Sequence, residues 1–166
     1  MHDYNAPRPV MSLLLLDNYH ELLKNLTDTA KSTLLASIDS RISDWVAGRN
    51  GYLCKFDRDR YIFIFEERWL QSFIDDKFSI LDRVREIVNP SGIAATVSSG
   101  IGREGSSFEE NYQFATLGIE MALSRGGDQV VVKNKLNFEF YGGHTVATER
   151  HTKVKSRVMA NAMGEL

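Results

Sequence analysis

A run of four leucines that ends at an acidic residue constrains the fold of this chain more than any other feature. Leu13 to Leu16 are followed directly by Asp17. A short, unbroken apolar run is typical of a strand that is buried on both faces. Because such a strand cannot easily carry a charge inside the sheet, we expect Asp17 to lie where the strand, predicted over Val10–Leu16, emerges. In α/β sheets, ligands bind at that end of the strands.

A second β-rich piece follows further along the chain. Two runs, Leu53–Phe56 and Tyr61–Phe65, flank the four charged residues Asp57–Arg60, which predicts a hairpin with a polar tip. If the first strand lies beside this hairpin, Asp17 and Asp59 face each other and form an oxygen site suited to Mg²⁺. From spacing alone, the simpler interpretation is a solvated turn whose charges pair among themselves.

The remaining patterns alternate between helix and strand. A stripe formed by Leu34, Ile38, Ile42 and Trp45 predicts a helix that packs on a sheet. Further helices are predicted over His20–Leu26, over the continuous stretch Glu67–Val88 and over Phe108–Ser124, and further strands over Ile93–Ile101, Gln129–Lys133 and Phe138–Tyr141. The order β-α-α-β-β-α-β-α-β contains βαββαβ, the ferredoxin-like plan. The predicted class is α+β, with one antiparallel sheet covered by helices on one side.

Bulk composition excludes several classes of protein. The 166 residues suffice for one domain with a sizeable core, and the net charge of −2 gives no electrostatic case for a nucleic-acid partner. The single cysteine, Cys54, cannot form an internal disulfide. No apolar run reaches the length of a membrane span, and His20, His144 and His151 lack metal-ligand spacing. We therefore expect a soluble piece of cytoplasmic type.

The chain divides into three parts. Residues 1–9 form a polar lead-in with two prolines, and residues 10–141 form the predicted domain. Residues 142–166 are compatible with a helix and are rich in basic residues: Arg150, His151, Lys153, Lys155 and Arg157. The ferredoxin-like plan does not need this last segment, so we interpret it as a linker helix that leads to a further domain.

Three stretches resemble the GGDEF domain, the nucleotidyl-cyclase palm fold of diguanylate cyclases. Lys55–Tyr61 falls where that family has Arg-Tyr-Gly-Gly-Asp-Glu-Phe, Val97–Gly102 falls on a strand that ends in Ser-Ile-Gly, and Met121–Val130 falls on the last helix and its turn. The resemblance implies that Asp17 and Asp59 are the metal carboxylates and that Asn25 is the base-contacting asparagine.

The departures from the cyclase pattern affect its catalytic residues. Asp57 and Arg58 replace the two glycines of the signature, and Arg60 replaces the catalytic glutamate. The guanine-reading aspartate of the family falls near Leu34, and glycines stand where the family has its product-inhibition motif. An active cyclase is therefore not expected, and the domain is interpreted as a degenerate GGDEF domain without catalytic residues.

A narrower resemblance covers residues 10–163. Leu16–Tyr19, Asp59–Tyr61 and especially Ala122–Lys133 are similar to the degenerate GGDEF domain of GdpP (YybT-type) cyclic-di-AMP phosphodiesterases. This resemblance implies a larger protein anchored in the bacterial cell membrane by two transmembrane helices. A PAS domain precedes this cytoplasmic region in that family, and a DHH/DHHA1 phosphodiesterase domain that uses Mn²⁺ follows it.

The same resemblance implies a function for this domain. It is expected to bind ATP or another nucleotide with Mg²⁺ through Asp17 and Asp59, with Arg58 or Arg60 at the phosphates, to form a homodimer and to regulate the hydrolase domain. Two alternatives stay open at this point: a weak Mg²⁺-dependent ATPase and a purely structural dimerisation module.

Overall fold

The computed structural model describes residues 8–142, and a six-stranded sheet organises them. The strands are β1 (Pro9–Leu16), β2 (Tyr52–Asp57), β3 (Arg60–Glu66), β4 (Val97–Gly102), β5 (Gln129–Lys133) and β6 (Phe138–Gly142). The helices are α1 (Tyr19–Leu23), α2 (Asp28–Val46), α3 (Leu70–Asp75), α4 (Ile80–Arg85) and α5 (Phe108–Ser124), with a 3₁₀ turn at Glu67–Trp69. Nearly all of the lead-in and of the basic linker helix lies outside the described residues.

The strand order is β2-β3-β1-β4-β5-β6. Strand β1 pairs antiparallel with both β3 and β4, and β2 pairs antiparallel with β3. These four strands form the ferredoxin-like core, so the predicted α+β fold is confirmed. The sheet as a whole is mixed, however, because β4 and β5 are parallel. The expectation of a purely antiparallel sheet was wrong, since α5 carries the chain from β4 back to the same end of the sheet before β5 begins.

Helices cover both faces of the sheet, which corrects the expectation of one covered face. Val10, Leu14 and Leu16 point into a large core that includes residues of α2, α3 and α4. The alternate residues Met11 and Leu13 pack instead against α5, because successive side chains of a strand point to opposite faces. We call these the aromatic face and the α5 face of the sheet.

The predicted continuous helix over Glu67–Val88 is interrupted. Lys77 and Phe78 have positive φ angles of 58° and 46°, and the Phe78 N–H donates to the Phe73 carbonyl at 3.0 Å. This turn places the fully buried Phe78 ring 5.1 Å from the ring of Tyr141. A non-glycine residue at positive φ is strained. Burial of the Phe78 ring compensates for this strain, so the helix that the local sequence favours is interrupted.

Helix α5 approaches β4 unusually closely. A Cβ atom added to Gly100 would lie 2.0 Å from the Ala115 carbonyl oxygen, and one added to Gly102 would lie 1.8 Å from the Asn111 carbonyl oxygen. Glycine is therefore required on β4 for backbone to pack against backbone.

Candidate functional site

The ends of β1 and of the β2–β3 hairpin meet, as the sequence predicts. The Leu16 N–H donates to the Asp59 carbonyl at 2.8 Å, and the Asp17 N–H donates to the Thr96 carbonyl at 2.9 Å. Asp17 thus directly follows β1, and Asp59 directly precedes β3, the strand beside β1. The fold brings the two predicted metal residues to one edge of the sheet.

The Asp17 carboxylate is held mainly by the turn between α5 and β5. Its Oδ2 accepts hydrogen bonds from the Thr96 hydroxyl at 2.9 Å and from the Asp128 N–H at 3.0 Å. A Cβ added to Gly127 would lie 3.0 Å from the carboxyl carbon of Asp17, so the turn covers this group closely. The other oxygen, Oδ1, is buried and has no hydrogen-bond partner among residues 8–142.

Burial raises the pKa of Asp17 above its ordinary value. The Ser98 and Thr96 hydroxyls and the Asp128 N–H favour the ionised form, and the nearby Asp128 charge opposes it, but desolvation is the largest cause. A cation beside Oδ1 would oppose this shift, because an opposite charge stabilises the carboxylate. Oδ1 of Asp17 is therefore a suitable ligand for a metal ion.

Residues that the sequence analysis did not single out complete this environment. The Asp128 N–H also donates to Ser98 Oγ at 2.9 Å, and Arg85 Nε donates to Asp128 Oδ2 at 2.7 Å. Gly126, Gly127 and Asp128 all have positive φ angles, which shapes the turn around Asp17. None of these three turn residues was among the predicted site residues. In the sequence, the two adjacent glycines and the aspartate after them could have indicated this turn.

The Asp59 side chain is less enclosed. Its carboxylate lies 3.8 Å from Arg60 Nε, which is a loose contact between partly exposed groups. Arg58 is exposed, and its N–H donates to Asp57 Oδ1 at 2.7 Å, so Asp57 caps the hairpin turn. Within the part of the chain that the structure describes, a weak ion pair is the one polar side-chain contact of the Asp59 carboxylate, whereas Asp57 accepts a hydrogen bond.

The charge of Asp59 also acts on Tyr61. Burial raises the pKa of Tyr61, and the hydrogen bond to Asp39 and the charges of Asp39 and Asp59 raise it further. Tyr61 belongs to the core of the aromatic face. The turn that carries Asp59 therefore lies close to this core as well as to β1.

Asn25 lies on the connection between α1 and α2. It is exposed and has a φ of 65°, a conformation that asparagine tolerates better than most residues. Among the described residues, no side-chain hydrogen bond joins Asn25 to Asp17 or Asp59. Asn25 thus adopts the positive φ angle of the turn that follows α1. Its contact with a base stays a prediction.

A cavity of about 260 Å³ opens on the α5 face beside this edge. The floor consists of Leu13 and Leu15 from β1, and Phe56 and Arg60 line the side of the hairpin. The opposite wall belongs to α5 and includes Tyr112, Thr116, Ile119, Glu120 and Leu123. We call this space the α5 cleft.

The described residues offer few ligands for a metal ion. Between residues 8 and 142, no group of three or more His, Cys, Asp or Glu side chains is arranged to hold one. Mg²⁺ typically takes only one or two carboxylates and receives its other ligands from phosphates and water. Asp17 and Asp59 therefore suit Mg²⁺ better than a metal ion whose ligands must all come from the protein.

Between residues 8 and 142, no helix has the length and apolarity of a membrane span.

Comparisons with known proteins point to one family. The sequence profile of the family described as cyclic-di-AMP phosphodiesterase GdpP-like, GGDEF domain, matches residues 14–140. The chain is 35% identical over 164 residues to the cyclic-di-AMP phosphodiesterase GdpP of Bacillus subtilis and 34% identical to PdeA of Listeria monocytogenes. Each match covers 98% of this chain and 25% of the relative, so the chain spans a quarter of the length of these relatives.

Solved structures show the same fold. The GGDEF domain of DgcB from Caulobacter crescentus aligns with a TM-score of 0.65 at 16% identity and covers 76% of this chain and 78% of that one. The GGEEF domain of a diguanylate cyclase from Vibrio cholerae aligns with a TM-score of 0.64 at 11% identity and covers 75% and 83% of the two chains. At these identities the likeness concerns the fold alone.

Proposed function

The chain belongs to the GdpP-like GGDEF domains of cyclic-di-AMP phosphodiesterases, and from this premise we propose that it is a nucleotide-binding regulatory domain of such an enzyme. The hydrolase activity would reside in a DHH/DHHA1 domain elsewhere in the same protein, with Mn²⁺ as its metal. A PAS domain and a membrane anchor would complete the parent protein. Two more distant relatives, 27% identical over 157 residues, are named as fusions of a membrane protein with a ribosomal subunit.

We propose nucleotide binding without cyclase activity. Arg60, a cation, stands at the position that corresponds to the catalytic glutamate of the cyclase signature. A guanidinium has no basic lone pair at neutral pH and cannot accept a proton from an attacking hydroxyl. It donates to phosphate oxygens instead, so the substitution exchanges a proton-transfer role for an anion-binding role.

The observation that carries the proposal is the partnerless oxygen of Asp17. An unsatisfied, buried carboxylate oxygen costs free energy, and folded proteins keep few of them without a functional reason. Asp59 follows on the neighbouring strand with only a loose contact to Arg60. Mg²⁺ bound to a nucleotide would supply the missing partner of Asp17 and would release Arg60 toward the phosphates.

We propose a distinct task for each part of the site. Asp17 and Asp59 would hold Mg²⁺, which would supply positive charge for the binding of phosphates. Arg60, and Arg58 at the tip of the turn, would donate hydrogen bonds to phosphate oxygens. The turn at Gly127–Asp128 keeps the Asp17 carboxylate oriented and shields it from water.

Calorimetric titration tests this proposal. ATP and GTP are titrated into the 166-residue chain with and without Mg²⁺, and the titration is repeated with Asp59→Ala. Asp44→Ala, which removes an exposed carboxylate from α2, is the matched control. We expect Mg²⁺-dependent ATP binding that Asp59→Ala abolishes and Asp44→Ala retains. Failure of the unchanged chain to bind either nucleotide would contradict the proposal and favour a structural, dimer-forming domain.

Regulation is tested in the full-length parent enzyme. If the domain transmits nucleotide binding to the hydrolase, ATP changes the rate of cyclic-di-AMP hydrolysis and Asp59→Ala removes this response. A response to ATP that survives in the variant would assign the regulation to another part of the protein. Sedimentation of the isolated chain with and without ATP tests the proposed homodimer.

A further inference from the structure

Apolar and aromatic side chains line the α5 cleft and leave it open to solvent. Phe56 and Tyr112 are 48% and 43% exposed, although both belong to regular elements of the fold. Leu123 is 43% exposed on the same wall. Large apolar side chains that converge on an open cavity are typical of a ligand site.

The cleft and the Asp17 carboxylate lie along β1 and its end. Leu13 and Leu15 line the cleft from β1. The Asp17 carboxylate, two residues after Leu15, accepts from the Asp128 N–H in the turn that follows α5. Two residues of a strand span about 6.6 Å, which is a short step from the floor of the cleft to the proposed metal position. Arg60 lines the cleft and also contacts Asp59, so it lies between the two regions.

We propose that the α5 cleft binds the base of the nucleotide, an inference that rests on the proposed function. A volume of about 260 Å³ accommodates a single ring system and leaves the phosphates outside. With the base between Phe56 and Tyr112, the phosphates extend past Arg60 toward Asp17 and Asp59. The base then lies on the α5 face, away from Asn25 on the α1–α2 connection.

The lining of the cleft indicates which chemistry it accepts. The leucine floor and the aromatic side chains suit the flat faces of a heterocycle, because base–aromatic stacking is favourable for every base. Glu120 supplies a carboxylate on the α5 wall that accepts a hydrogen bond from an exocyclic amino group. The cleft therefore favours a base that carries an amino group, such as adenine, over one that lacks it, such as hypoxanthine.

Two variants of the same helix form the matched test. Leu123→Trp fills the cleft, whereas Leu117→Trp adds the same bulk to a leucine of α5 that is equally exposed (44%) and does not line the cleft. Binding of ATP and of inorganic tripolyphosphate, both with Mg²⁺, is measured by calorimetry. The affinity for tripolyphosphate measures the contribution of the metal ion and the arginines. The difference in affinity between ATP and tripolyphosphate measures the contribution of the base.

We expect Leu123→Trp to weaken ATP binding about tenfold or more, as the loss of base stacking implies, and to leave tripolyphosphate binding unchanged. Leu117→Trp should retain both. Unchanged ATP affinity in Leu123→Trp would overturn the cleft assignment while the proposed function stands. Loss of ATP affinity in Asn25→Ala, with Leu123→Trp unaffected, would place the base at the end of α1. Absence of binding of both ligands to the unchanged chain would overturn both proposals.

A second variant keeps the test decisive if Leu123→Trp fails to fold. Tyr112→Ala removes a partly exposed ring without adding bulk, so the fold is expected to tolerate it. It should also weaken ATP binding and spare tripolyphosphate binding. Glu120→Ala, which removes the acceptor, should reduce the preference for ATP over inosine triphosphate, whereas an unchanged preference would contradict the role assigned to Glu120.

Discussion

The two faces of the sheet differ in how completely helices cover them. On the aromatic face, Trp45 and Phe73 have ring centroids 4.5 Å apart, and Phe63 and Phe78 surround them within a continuous core. On the α5 face, one helix packs tightly on glycines of β4, and β3 and β2 remain partly exposed. The aromatic face provides most of the buried apolar surface, and the α5 face leaves space for a ligand.

The position of α5 explains this difference. Because Gly100 and Gly102 let the helix backbone approach β4, α5 lies over β4, β1 and β5. Ile62 and Ile64 on β3 are only half-buried as a result, and Tyr52 on β2 is 65% exposed. The lesson is that a helix held close to one strand by glycines leaves part of its own face of the sheet uncovered.

The largest effect on stability should follow a change on the aromatic face. Phe73 is fully buried among four aromatic rings, and Arg49 lies 4.6 Å from its centroid. Phe73→Ala should lower the free energy of unfolding by about 3–5 kcal/mol, because it removes a buried ring and leaves a cavity. Urea denaturation measures this loss.

Tyr52→Ala on the exposed edge is the control, with an expected change of about 0.5 kcal/mol or less, since most of its surface already contacts water. Equal losses for the two variants would refute the contrast between the faces.

A smaller effect is expected where α5 meets β4. Gly100→Ala should lower the free energy of unfolding by about 1–3 kcal/mol, because the new methyl group forces the helix away from the strand. The methyl group would collide with the carbonyl oxygen of Ala115 and not with its side chain. Adding Ala115→Gly should therefore fail to restore stability, and a full rescue would show that the close approach depends on side chains.

The smallest effect is expected at Asp17, and its size depends on pH. The pKa of Asp17 in the folded state is raised by burial, so between the unfolded and folded pKa values the folded chain holds more protons than the unfolded chain. Stability from this group is therefore present below the unfolded pKa and falls as the pH rises through the folded pKa.

Asp17→Asn cannot ionise and should become slightly more stable than the unchanged chain at neutral pH, an advantage that disappears in acid. Denaturation curves of both chains across this range measure the difference. A constant difference at every pH would contradict the role of desolvation. If the nucleotide proposal holds, the same variant gains stability and loses Mg²⁺-dependent ATP binding, which separates folding from function at one residue.

Local patterns predicted much of the fold. Strand β1, the hairpin, α5 and β5 lie where the sequence predicts them, since each depends on the spacing of apolar residues within one segment. The break at Lys77–Phe78 was not predictable in this way. The reason is that Phe78 turns inward to meet Phe73 and Tyr141, and Tyr141 is distant in sequence.

The site shows the same division. The sequence alone determined that Asp17 ends a buried strand and that Asp59 lies in the turn of the neighbouring hairpin, because strand length, charge and turn chemistry are local properties. Only the tertiary structure decided that Thr96 and Asp128 donate to one oxygen of Asp17, whereas the other oxygen has no hydrogen-bond partner among residues 8–142. It also decided that α5 leaves a cleft over Leu13 and Leu15 of β1. Both outcomes depend on contacts between segments far apart in the chain, and no local pattern of residues encodes such contacts.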